Sequence, residues 1–251
     1  MPGHVIRIGV LSPHSAVGPE AEFPAIAPGL IETRVARVAS SDEAGASVAA
    51  KQPLAVHALI DPRLDEAAER LAAGSIDVLG YASTSYAYAA GFAAEAAMVS
   101  RLSRRFGIPV AATCASTVIA LRTLDVARLA LVHPPWFDGA LNELGMAYFQ
   151  SQGVRVVSSA SADLPDDPHE IEPDAVCEWT TRHVGDDAEA VFIGGNGFRA
   201  AGAIEPLEIA LGRPVMTSNQ VLLWSLLAQA GAAPDITGYG QLFARSPSVG
   251  S

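Results

Sequence analysis

The sequence predicts an α/β fold: two pseudo-symmetric Rossmann-like lobes with parallel sheets and an active-site cleft between them. Three observations predict it. Short apolar runs alternate with longer segments of helical periodicity, as in a parallel sheet covered on both faces. The order of these runs repeats: "IDVLGYAST", a helix and "GIPVAATCASTVIALRTL" are echoed by "EAVFIGGNG", a helix and "GRPVMTSNQVLLWSLLAQAG". The opening strand has a counterpart too, since "IRIGVLSPHS" resembles "LALVHPPWF". The repeat divides the chain into an N-terminal lobe, 1–125, and a C-terminal lobe, 126–251. It leaves open a C-terminal segment that crosses back to the first lobe.

In chain order the expected strands are 5–12, 33–40, 76–82, 108–112, 129–133, 154–160, 190–195 and 214–217. Each is a short β-branched or apolar run bounded by turn residues. The helices between them carry start and stop signals. Asp61-Pro62 opens "RLDEAAERLAAG" with an N-cap and a first-turn proline; Leu64, Ala67, Ala68 and Leu71 form its apolar stripe, and Gly74 closes it. "WFDGALNELGMAYFQSQG" ends similarly at Gly153, and "EPDAVCEWTTRHV" reads as a further helix carrying Cys177.

Composition excludes several classes. The chain has 251 residues, half of them hydrophobic and 17% charged, enough for one large α/β unit or two small lobes. A net charge of -11 with 16 Lys and Arg argues against nucleic acid as a partner, because that affinity comes largely from clustered cations. It does not exclude an anionic small molecule, which local backbone donors can hold. Cys114 and Cys177 form no CxxC, so neither a disulfide framework nor a metal site follows. His4, His57, His169 and His183 show no metal-ligand spacing. "DLPDDPHE" at 163–170 reads as a solvated acidic loop. The N-terminus lacks a signal-peptide pattern and no apolar run reaches membrane-spanning length, so the expected location is cytoplasmic, without membrane association. No G-x-G-x-x-G fingerprint, Walker loop or G-x-S-x-G elbow appears in its required context, so a nucleotide cofactor is not indicated. A homodimer is left open.

Parallel α/β units bind ligands beyond the carboxyl ends of their strands. Two facing lobes would put four such ends around one cleft, at 12–15, 83–86, 133–137 and 195–198. Ser83, Thr84 and Ser85 stand where a strand gives way to a helix, and could cradle a carboxylate or a developing enolate; the simpler alternative is a Ser/Thr N-cap. Gly194, Gly195, Asn196 and Gly197 occupy the corresponding place in the second half, where glycine permits close approach of a ligand or merely turns the chain. His14 and His133 each follow the first strand of a lobe and are candidates to carry a proton, against the alternative of loop histidines bonded to backbone or solvent. Trp136 either walls an apolar pocket or packs as the first residue of a buried helix. Cys114 falls near the expected cleft mouth, whereas Cys177 reads as core filling.

Taken together, "RIGVLSPHS", "DVLGYASTS", "FGIPVAATCASTVIALRTL", "LALVHPPWFDGALNELGMAYFQSQGVRVV" and "VFIGGNGFRAAGAIEPLEIALGRPVMTSNQVLLWSLLAQAG" resemble the successive blocks of the aspartate/glutamate racemase superfamily, on the branch of maleate cis-trans isomerase and arylmalonate decarboxylase. The resemblance covers nearly the whole chain in order. It implies a cofactor-free site between two lobes, with a cysteine at an equivalent strand end in each lobe across the superfamily, of which arylmalonate decarboxylases keep the second and have glycine for the first. Ser83 and Gly195 stand at those two positions here. A serine hydroxyl ionises far less readily than a thiol, which puts two-thiol racemisation and thiolate addition in doubt. The resemblance further implies that Ser83, Thr84 and Ser85 belong to the carboxylate cradle, that Gly195 and Asn196 form the opposite wall, that Trp136 replaces a tyrosine, and that His14 and Ser15 lie in a carboxylate-contacting loop.

The resulting expectation is a cofactor-independent lyase or isomerase acting on a small carboxylate-bearing carbon acid through an enediolate. Ser83, His14, His133 and Cys114 are its candidate catalytic residues; Ser15, Thr84, Ser85, Trp136, Gly195 and Asn196 are its candidate substrate-binding residues. The alternatives are an inactive small-carboxylate binding protein and a hydrolase with Ser83 as nucleophile.

Overall fold

A computed structural model of the protein describes residues 5–38 and 58–247. Residues 39–40 of the second expected strand, together with His4 and His57, lie outside the described residues.

All eight expected strands have observed counterparts, arranged as two four-stranded parallel sheets. The first contains β1 (Ile6–Ser12), β2 (Ile31–Arg37), β3 (Val78–Tyr81) and β4 (Val110–Ala112), in the order β2-β1-β3-β4. The second contains β5 (Arg128–His133), β6 (Arg155–Ser161), β7 (Ala190–Ile193) and β8 (Val215–Thr217), in the equivalent order β6-β5-β7-β8. The two central pairs keep the same relation: Ile8 lies beside Val78, and Leu129 beside Ala190. Strands β3, β4, β7 and β8 are buried throughout, which explains their unbroken apolar runs.

The helices are α1 (Pro19–Ile26), α2 (Pro62–Ala73), α3 (Thr84–Ala90), α4 (Phe92–Phe106), α5 (Thr113–Thr123), α6 (Gly139–Gln150), α7 (Pro173–His183), α8 (Ile204–Leu211) and α9 (Ser218–Gln229). Helix α2 starts as its sequence requires: the Asp61 side chain accepts the Arg63 N–H at 2.8 Å, and Leu64, Ala67, Ala68 and Leu71 are buried. Helix α6 starts at Gly139, because Asp138 caps it by accepting the Leu141 N–H at 2.8 Å. Trp136 is therefore in the preceding loop, 39% exposed, and not the first residue of a buried helix.

Helices α5 and α9, which follow the last strand of each sheet, leave their own halves. Helix α9 packs on α5, β3 and β4, with Leu222 and Leu226 over Gly80 of the first sheet. Cys114, Val118 and Leu121 of α5 share a cluster with Leu129, Leu131, Phe192 and Met216 of the second. Helix α9 is consequently buried without interruption from Ser218 to Leu227. A helix apolar on nearly every side has no solvent face to offer. Its start is fixed by a capping box between Thr217 and Gln220.

Candidate active site

The loops beyond β1, β3, β5 and β7 converge on a cavity of about 440 Å³. Its polar side includes His14, Ser15, Thr84, Ser85 and Asn196, and its apolar side Pro13, Ala16, Trp136, Phe137, Leu141 and Pro168. Asp138, Asp166, Gly195 and Gly197 complete the wall, so among the described residues its charged side chains are both acidic. A larger cavity, about 680 Å³, lies between α9 and the C-terminal segment, away from the strand ends. The smaller one occupies the position where parallel α/β sheets bind ligands.

Backbone geometry places each polar group. Ser83 lies two residues beyond β3 in an extended conformation, and its hydroxyl accepts the Tyr86 N–H at 3.3 Å, capping α3. The same oxygen is 3.0 Å from His14 Nε2, and Ser85 Oγ is 3.4 Å from that nitrogen. The serine oxygen can accept from both the Tyr86 N–H and an Nε2–H, or donate its own proton to Nε2, according to the imidazole tautomer. His14 is half-buried: its ring is closely packed while part of its surface lines the cavity. Desolvation, reinforced by the Arg37 charge, lowers its pKa to about 4, so the ring is neutral at pH 7.

On the opposite wall Gly195 has φ +92, a conformation that L side chains rarely adopt. Its N–H donates to Thr84 Oγ1 at 3.1 Å, joining the loop after β7 to the start of α3. Thr84 Oγ1 is also 2.9 Å from Ser218 Oγ and 3.3 Å from Asn196 Oδ1. Asn196 Nδ2 donates to Thr113 Oγ1 at 3.1 Å and to Asn219 Oδ1 at 2.9 Å.

Seven of the ten candidate residues line the cavity: His14, Ser15, Thr84, Ser85, Trp136, Gly195 and Asn196. The other three are corrected in position. Ser83 is fully buried beneath His14 and is not part of the wall. It has the base that a nucleophilic serine needs, but its hydroxyl is spent on capping α3 and contacting the imidazole. His133 is fully buried, stacked on Phe137 at 5.5 Å and met edge-on by Tyr88 at 5.6 Å. Its Nε2 is 3.3 Å from Ser159 Oγ, and its Nδ1 has no hydrogen-bond partner among the described residues. Desolvation lowers its pKa to about 3, as expected of a neutral packing histidine. Cys114, expected near the mouth, is instead enclosed at the start of α5, with Sγ 3.9 Å from the Thr84 carbonyl oxygen. Burial and the nearby Glu95 carboxyl push its thiol well above the usual range. That disfavours a thiolate. Cys177 lies on α7, outside the wall.

Sequence reasoning missed Asp166 and Pro168, because the acidic 163–170 segment reads as solvated although part of it reaches the cavity. It also missed the buried polar set Glu22, Thr113, Ser218 and Asn219. Ser218 and Asn219 sit in "MTSNQ", the counterpart of "AATCAS", so the internal repeat held a signal for them.

Among the described residues no group of acidic, histidine or cysteine side chains is arranged to hold a metal ion, and no helix is long and apolar enough to cross a membrane.

A family model described as arylmalonate decarboxylase matches residues 36–243. No curated protein matches in sequence. Among solved structures, unliganded arylmalonate decarboxylase is similar at 21% identity and a TM-score of 0.78, covering 96% of this chain and 99% of its own. A variant of maleate isomerase from Pseudomonas putida S16, solved with maleate, is similar at 20% identity and a TM-score of 0.83, covering 96% of this chain and 98% of its own. A variant of Nocardia farcinica maleate cis-trans isomerase with a covalently bound succinylcysteine intermediate is similar at 20% identity and a TM-score of 0.81, with the same coverage of 96% and 98%.

Proposed function

The chain belongs to the arylmalonate decarboxylase family, and on that premise we propose that it is a cofactor-independent decarboxylase or isomerase of small carbon acids bearing a carboxylate and an apolar substituent. The observation that carries this reading is the division of the cavity: hydroxyl groups and the 195–197 backbone on one side, and Trp136, Phe137 and Leu141 on the other. A carboxylate fits the first wall and an aryl or alkyl group the second.

For a substituted malonate the net reaction is R–CH(CO2−)2 + H+ → R–CH2–CO2− + CO2. Breaking the C–C bond leaves its electron pair on an enediolate, whose oxygens need preorganised donors. Ser15 and Ser85 are placed to supply them; removing one such donor in comparable sites costs about 10²–10³ in rate. Thr84, Gly195 and Asn196 form the wall around them.

The proton must come from a group on the wall, and His14 is its imidazole. A neutral imidazole neither repels nor traps the anion before it binds. A bound carboxylate nearby raises the imidazole pKa, so the substrate charge recruits the proton that carbon then receives. Ser83 holds the ring through Nε2 at 3.0 Å. The buried positions of His133 and Cys114 favour structural roles for both.

The test is a melting screen with phenylmalonate, alkylmalonates, maleate, aspartate and glutamate, followed by NMR of each stabilising compound in D2O. Release of CO2 with deuterium at the α-carbon, or cis-trans isomerisation, is the expected result. Stabilisation without chemistry would replace the reading by the small-carboxylate binding protein. An acyl or ester adduct on Ser83 would replace it by the hydrolase.

A further inference from the structure

Glu22 on α1 is a carboxylate without an evident task. It is 8% exposed, and both groups it binds are donors: the Asn219 amide at 2.6 Å and the Ala201 N–H at 2.7 Å. Burial raises its pKa, while these two hydrogen bonds and the Arg199 charge oppose the rise.

The consequences run outward from this carboxylate in a forced order. Both Glu22 oxygens accept, one from the Ala201 N–H and the other from the Asn219 NH2, which sets the direction of the Asn219 amide. The other hydrogen of that NH2 goes to the Asn196 carbonyl oxygen at 2.8 Å. Asn219 Oδ1 is thereby the acceptor that faces Asn196, and it takes the Asn196 NH2 at 2.9 Å. The second hydrogen of that NH2 goes to Thr113 Oγ1. Asn196 Oδ1 is left facing Thr84 Oγ1, so that hydroxyl can donate to it while accepting the Gly195 N–H.

We propose that Glu22 is a positioning residue that sets the direction of the whole hydrogen-bond chain Glu22–Asn219–Asn196–Thr84 and so fixes the 195–197 wall of the cavity. Its significance for turnover rests on the function proposed above; its effect on the wall does not. The Thr84 proton has two inward partners, Ser218 Oγ at 2.9 Å and Asn196 Oδ1 at 3.3 Å, so Thr84 holds the Gly195 N–H and leaves substrate contact to Ser15 and Ser85. Gly18, just before α1, adds to the fit: a Cβ there would stand 2.1 Å from the Asn196 carbonyl oxygen.

Glu22→Gln is the direct test. The Ala201 N–H requires the glutamine oxygen, which turns the glutamine NH2 against the Asn219 NH2. Two donors then face each other, and relief requires Asn219 and Asn196 to reverse in turn. Asn219→Ser breaks the chain at its next link without this conflict and serves as the second variant.

The expected results are faster amide exchange at 195–201 and displaced Asn196 side-chain NH2 resonances in both variants, with the far-ultraviolet circular dichroism unchanged. For phenylmalonate, kcat/KM should fall about ten- to hundredfold, the scale of a small misplacement of site groups. The double variant should be no worse than the poorer single one, because both act through one chain. Unchanged exchange and unchanged Asn196 resonances in both variants would overturn the proposal, whatever phenylmalonate does. Altered exchange and resonances with no phenylmalonate turnover in the wild type would support the positioning role and refute the substrate reading alone.

Discussion

Ser83→Ala separates a supporting hydroxyl from a reacting one. The oxygen caps a helix of seven residues, Thr84–Ala90, by accepting the Tyr86 N–H, and it makes the 3.0 Å contact to His14 Nε2. Losing an N-cap serine costs about 1 kcal/mol. Losing the buried hydrogen bond to the imidazole adds about 1 kcal/mol. A total of about 2 kcal/mol corresponds to a fall in Tm of about 4–8 °C for a chain of this size. With Ser85 alone at 3.4 Å, the ring is less well aimed, and kcat for phenylmalonate should drop about tenfold at little change in KM. Calorimetry and steady-state kinetics measure the two effects, and Ser83→Thr should restore most of both. An unchanged Tm would refute the capping role. Complete loss of turnover, with an adduct on Ser83 in the wild type, would refute the assignment of this hydroxyl to positioning.

Three further outcomes follow from the geometry. His14 and His133 have folded pKa values of about 4 and about 3, below the unfolded value of 6.5, so each contributes stability that is present above pH 6.5 and lost as pH falls through the folded value. Glu95, raised to about 7 by burial, works in the opposite sense, contributing below pH 4.5 and losing its contribution as pH rises through 7; NMR should show both imidazoles untitrated between pH 8 and 5, and titration of either in that window would contradict its environment. Trp136→Ala should raise KM for phenylmalonate about tenfold and leave methylmalonate nearly unaffected, because Trp136 lines the apolar wall; equal effects on both would remove it from substituent recognition. Gly195→Cys should destabilise the protein by at least about 1 kcal/mol and supply no working thiol, since φ is +92 and a Cβ would lie 2.9 Å from Pro134 Cγ; a stable, more active variant would show that this loop accepts a side chain.

The fold was legible because periodicity and an internal repeat are properties of the chain itself. "IDVLGYAST" and "EAVFIGGNG" marked equivalent strand ends, and both border the cavity. Position along a strand end was legible; direction was not. Ser83 and Thr84 are neighbours, yet one is sealed under His14 and the other reaches the wall, because the backbone changes from extended at Ser83 to helical at Thr84. His133 is the last residue of β5 and points into the packing there, while the cavity is lined from Trp136 onward. Cys114 belongs to the first turn of α5, and the packing of Glu95 and Tyr148 around that turn is tertiary information. The Glu22 chain joins residues up to 197 positions apart, and no local pattern encodes that pairing.

The traded helices carry a consequence for how the protein can move and how it could be divided. Because α9 covers β3 and β4 while α5 shares its cluster with the second sheet, cutting the chain near residue 125 would strip each half of a cover and expose a wide apolar face. In the intact chain the same trade acts as a pair of crossed braces. The halves cannot swing apart without withdrawing a buried helix, so the cavity has a braced floor, while Trp136, 39% exposed, stands at its solvent side.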